Sequence, residues 1–88
     1  MRRCYVTVTG RVQGVGFRMA CAAQAERAGI AGWVRNLPDG RVEAVLEGEE
    51  TAVDQVLRWL HEGPPAARVE DVDARVEQPQ GEQGFQVR

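Results

Sequence analysis

Apolar and polar residues alternate from Cys4 to Thr9, with Cys4, Val6 and Val8 on one face and Tyr5, Thr7 and Thr9 on the other. A period of two marks a half-buried strand. From Met19 to Ala28 the pattern becomes helical: Phe17, Cys21, Ala25 and Ala28 fall on one stripe, made mostly of small residues, so the helix can lie close to a sheet. Gly29 ends that helix. Ala31 to Asn36, carrying Trp33 and Val34, predicts a second strand, and Pro38-Asp39-Gly40 is a strong turn signal. Arg41 to Glu47 then alternates, with Val42, Ala44 and Leu46 on one face and Glu43 and Glu47 on the other. Two strands joined by so short a connection form a hairpin. Gly48 closes the third strand, and Thr51 to Glu62 predicts a second helix with Val53, Val56, Leu57 and Leu60 on its apolar stripe and Trp59 beside it. Gly63-Pro64-Pro65 stops that helix. Val72, Ala74 and Val76 alternate in a fourth strand, and Val69, out of phase with them, predicts a bulge or an irregular start. A polar loop from Pro79 to Gln83 leads to a short terminal strand holding Phe85 and Val87.

The predicted order is β-α-β-β-α-β plus a tail strand, an α+β ferredoxin-like pattern with two helices on one face of an antiparallel sheet. A chain of 88 residues allows one domain, spanning 1–88. That architecture hosts many unrelated functions, so the function has to be read from a site.

The richest candidate site is Gly10-Arg11-Val12-Gln13-Gly14-Val15-Gly16-Phe17-Arg18, between the first strand and the first helix. A glycine-rich turn at a helix start exposes main-chain N–H groups that suit a phosphate. Gly10, Gly14 and Gly16 permit positive φ and close approach to a ligand. Arg18 adds a fork of donors matched to phosphate oxygens, and a cation at the positive end of a helix dipole is relieved by a bound anion. The run is not a Walker A loop, because the chain contains no lysine. It is not a dinucleotide fingerprint either, because Met19 stands where glycine or alanine belongs. Taken alone, the glycines are equally well read as closing a tight turn.

Charge and composition narrow the field. A net charge of −2 argues against a general nucleic-acid binder. No window has the ~18 apolar residues of a membrane span, and no signal-peptide core follows Met1-Arg2-Arg3. A cytoplasmic location is expected, with Cys4 and Cys21 as buried thiols. His61 reads as a surface or capping residue, and one histidine with two distant cysteines gives no metal site. Nothing demands more than a monomer, and Met1 with the terminal strand suggests an intact chain.

A second cluster is Gly32-Trp33-Val34-Arg35-Asn36, then Gly40, Val42 and Gly48. Asn36 alone reads best as a turn residue. Together, the two segments resemble the acylphosphatase family. Gly10 to Arg18 matches its signature G-R-V-Q-G-V-x-[FY]-R, and Gly32 to Gly48 matches G-[FYW]-[AVC]-[KRQAM]-N-x3-G-x-V-x5-G. The likeness extends to Ala25…Gly29-Ile30, to Pro64-Pro65 with Val69, and to Phe85-Gln86-Val87-Arg88.

The resemblance implies the ferredoxin-like fold and hydrolysis of the carboxyl–phosphate bond of acyl phosphates. By carry-over, Arg18 binds the phosphoryl group and Asn36 positions the attacking water. The N–H groups of Gln13, Gly14, Val15, Gly16 and Phe17 hold phosphate oxygens. It implies a small-molecule acyl phosphate substrate, inorganic phosphate as product and competitive inhibitor, and no cofactor or metal. Cys21 stands where many members carry threonine, so a hydroxyl near the site is lost. The rival readings are a phosphate-sensing binding module, the N-terminal domain of a hydrogenase-maturation carbamoyltransferase, and, least favoured, an RNA-binding ferredoxin-like domain. Asn36 separates enzyme from binder, since a pure binder has no need of a water-positioning amide.

Overall fold

The computed structural model describes residues 1–88. Its elements run β1 (Arg2–Arg11), α1 (Phe17–Ala28), β2 (Ala31–Asn36), β3 (Val42–Gly48), α2 (Glu50–Glu62), β4 (Arg68–Glu77) and β5 (Phe85–Val87). They build a five-stranded sheet in the order β4-β1-β3-β2-β5. Cys4, Val6, Val8, Val34, Ala44 and Leu46 face the helices and pack against Cys21 and Ala25 of α1 and Val53, Val56 and Leu60 of α2, all buried in one core. On α1 the stripe Phe17, Cys21 and Ala25 is buried, as its spacing predicts. Neither helix is long and apolar enough to cross a membrane.

The antiparallel expectation holds for the first four strands, whereas β5 pairs with β2 in parallel. The chain path explains the difference. β4 and β5 occupy opposite edges of the sheet. Residues 78–84 cross the sheet at the end where β4 finishes, so β5 starts there and runs in the direction of β2. The phase break at Val69 is a bulge: Thr9 pairs with Asp71 but Gly10 pairs with Val69, leaving Glu70 as an extra residue. β4 is an edge strand, and Val76 remains 73% exposed because no helix covers that end of it.

Glu43 and Glu47 lie on the face away from the helices, as alternation predicts, yet both are buried. Glu43 accepts hydrogen bonds from Tyr5 and Arg35. Glu47 accepts from the main-chain N–H groups of Gln80 and Glu82, each at 2.6 Å, and faces Arg3 at 3.5 Å. Arg3 also binds Glu77 and Glu82 at 3.1 and 2.9 Å. Glu47 therefore fastens the crossing segment to the sheet. Its charge is tolerated because every neighbour is a donor or a paired ion.

Burial pushes the Glu47 carboxyl up. The N–H groups of Gln80, Glu82 and Gly81, with Arg3, outweigh that and hold it below its ordinary value of 4.5. A carboxyl lowered by folding contributes stability above its unfolded pKa and loses it as pH falls through the lower folded value. Stability should therefore decline below about pH 4.5. Glu47→Gln should cost about 2 kcal/mol at pH 7 in urea unfolding and flatten the acid limb of the stability profile. An unchanged acid limb would show that Glu47 is not the group that titrates.

Candidate active site

Val12 and Phe17 are both buried in the core, 1% and 2% exposed, and the turn between strand and helix is stretched between them. Gly14 and Gly16 adopt φ of 73° and 75°, the left-handed region open to glycine. This turn leaves the main-chain N–H groups from Gln13 to Met19 without any backbone acceptor. α1 has no side-chain cap and no acidic residue in its first turn. Free donors and an uncompensated dipole end together make an anion cradle. Gly10 is not part of it. That residue sits at the β1–β4 bulge, where an added Cβ would stand 2.1 Å from the carbonyl oxygen of Arg68. Its close approach is to the neighbouring strand, not to a ligand.

The cradle opens on a concavity of about 110 Å³ lined by Val12, Gly14, Gly16, Phe17, Arg18, Met19 and Asn36. Arg18 is half-buried and donates from Nη1 to the main-chain oxygen of Arg88 at 2.8 Å, which leaves further guanidinium N–H groups uncommitted. Asn36 arrives from the end of β2, where the period of two puts it on the helix side with Val34. Its Oδ1 is buried and has no hydrogen-bond partner. The hairpin turn is held without it, by Leu37 N–H to Arg41 O at 2.8 Å and Gly40 N–H to Leu37 O at 3.2 Å. An unsatisfied buried acceptor costs about 1–3 kcal/mol, and a turn that does not need the side chain gives no return for that cost.

Several contacts were not legible in the sequence. Gln13 donates from Nε2 to Leu37 O at 2.8 Å and Arg41 O at 3.0 Å, so its side chain ties the cradle to the hairpin that carries Asn36. Arg88 donates its N–H to Val34 O at 2.8 Å and lays its guanidinium over Trp33, 4.7 Å from the ring centre. These partners are remote in sequence, and no spacing rule pairs them. The Phe17 ring is buried and packs against Trp59, with centroids 5.5 Å apart. Cys21 is fully buried and does not line the concavity; burial pushes its thiol up to about 12. His61 is on the surface, its Nδ1 2.9 Å from Leu57 O.

The acylphosphatase family model matches residues 4–87. An acylphosphatase of Rubrobacter xylanophilus is 60% identical over 88 residues, covering 99% of this chain and 80% of that one. The crystal structure of acylphosphatase from Bacillus subtilis superposes with a TM-score of 0.96 at 36% identity, over 99% of this chain and 98% of that one. A structure of T. kodakarensis HypF contains a similar unit at 32% identity and TM-score 0.86, which spans 100% of this chain and 12% of HypF.

Removing the Gln13 amide should loosen the wall that holds Asn36. Gln13→Ala should lower stability by about 1 kcal/mol in urea unfolding and weaken binding of inorganic phosphate several-fold in calorimetry. Gln13→Glu is nearly isosteric but cannot donate to two carbonyls, so it should do at least as badly. Wild-type phosphate affinity in both variants would show that the tie does not shape the site.

Proposed function

The chain belongs to the acylphosphatase family, and from that footing we propose how its geometry hydrolyses the carboxyl–phosphate bond of an acyl phosphate. The phosphoryl group sits in the Gln13–Phe17 cradle, its oxygens on the free N–H groups and on Arg18. The observation that carries the assignment is the unpartnered Asn36 Oδ1 in the same concavity as Arg18. It accepts a hydrogen bond from the water that attacks phosphorus.

A carboxylate is a good leaving group, so little acid catalysis is needed. The transition state spreads negative charge over the phosphoryl oxygens, and the reaction gains from positioning and from pre-aimed donors. Gly14 and Gly16 fix the amides, and Val12 and Phe17 anchor both ends, so little reorganisation accompanies binding. Asn36 has no proton to exchange usefully and acts by orientation. The water's proton passes to a phosphoryl oxygen, a substrate-assisted route, and the carboxylate departs with inorganic phosphate as the second product.

Arg18 and the amides supply the charge neutralisation that a divalent ion gives other phosphoryl-transfer sites, so the reaction runs without metal or cofactor. Residues 1–88 act as one catalytic unit. The protein acts as a monomer, and its two free buried cysteines suit a reducing cytoplasm. Inorganic phosphate, sharing the phosphoryl group's contacts, inhibits competitively.

Turnover of benzoyl phosphate should persist in excess chelator; loss on chelation with recovery on adding a divalent ion would overturn the metal-free route. Arg18→Ala should nearly abolish both turnover and phosphate binding. Asn36→Ala should slow turnover about a hundredfold, on the order of 3 kcal/mol, while still binding phosphate. Full turnover in Asn36→Ala would return that residue to a turn role. Loss of both properties in a folded Asn36→Ala protein would place it in the cradle instead.

A further inference from the structure

Four large apolar side chains stand exposed: Met1, Met19, Val76 and Val87. Of these, only Met19 borders the concavity. It is 68% exposed in the first turn of α1, directly after Arg18. It is absent from the core and from the partly buried residues packed on the core. Its thioether chain therefore contributes nothing to folding that a polar residue would not.

An acyl phosphate has two halves, and the cradle accounts for one. With the phosphoryl group against the amides and Arg18, the acyl group projects through the mouth. Gly14 and Gly16 also line the concavity, and an added Cβ there would meet nothing within 4 Å, so they offer backbone alone. The other apolar lining residues, Val12 and Phe17, are buried, 1% and 2% exposed. Met19 is then the one exposed apolar side chain at the lip.

We propose that Met19 is a specificity-determining residue: its side chain folds against the acyl group and favours substrates with an aromatic or aliphatic acyl half over those with a small polar one. The proposal rests on the phosphoryl site assigned above. A methionine suits this task, because it is flexible, polarisable and attractive to the edge of an aromatic ring. The glycines beside Met19 present no side chain, so the preference comes from contact rather than exclusion.

The test compares benzoyl phosphate with acetyl phosphate as substrates for the wild type, Met19→Ala and Met19→Leu. The quantity read is the ratio of the two kcat/KM values. Met19→Ala should lower the benzoyl-over-acetyl ratio about fivefold, the scale of one or two methylene groups losing contact. The loss should appear mainly in KM for benzoyl phosphate. Met19→Leu, which keeps the apolar bulk, should retain most of the wild-type ratio. A ratio unchanged in Met19→Ala, or lowered equally in both variants, overturns the role of Met19 while leaving the phosphoryl site standing. A wild type that turns over neither substrate sinks the phosphoryl assignment and this proposal with it.

Discussion

Two buried apolar anchors, Val12 and Phe17, set the terms for the active end of the molecule. Both belong to the core, one at the end of a strand and the other at the start of a helix. The short stretch between them has no room to form its own hydrogen-bonded structure. It can only bridge them with its N–H groups turned outward, and Gly14 and Gly16 allow the left-handed turns that this demands. The donors are thus free because packing on either side forbids them partners, and they are held in place by the same packing. A site formed in this way meets a charged ligand without first ordering itself.

The fold divides its polar work between the two ends of the sheet. At one end, the buried Arg3 and Glu47, the half-buried Glu82 and the exposed Glu77 satisfy one another and the crossing segment. At the other, the N–H groups of the cradle and the Asn36 oxygen are left without partners. Buried polar groups are normally paired, so the Asn36 oxygen is the informative exception. The paired end stabilises, whereas the unpaired end is left open to a ligand. A net charge of −2 is no obstacle to an anionic substrate, since Arg18 and the helix dipole set the local field.

The sequence by itself determined the order of elements, the core faces of β1, β3 and α2, and the position of the cradle. Those properties depend on local periodicity and on glycine next to a helix start, which are readable within a few residues. It also singled out Arg18, from its place at a helix start beside the glycines, and Asn36, but the latter only through the match of two whole segments to a family; alone it read as a turn residue. Tertiary structure decided the rest. It moved Gly10 from the cradle to a bulge, because its constraint comes from Arg68, far along the chain. It buried Glu43 and Glu47, because the segment from β4 to β5 and the side chains of Arg3, Tyr5 and Arg35 cover a face that alternation alone marks as polar. It made β5 parallel, because direction follows from which end of the sheet the chain crosses. It gave Gln13 a tie to the hairpin and left the Asn36 oxygen unpartnered, since hydrogen-bond pairing depends on distances between segments that no spacing rule carries. Local pattern fixes which face a residue takes, whereas what meets that face is settled only when distant segments pack.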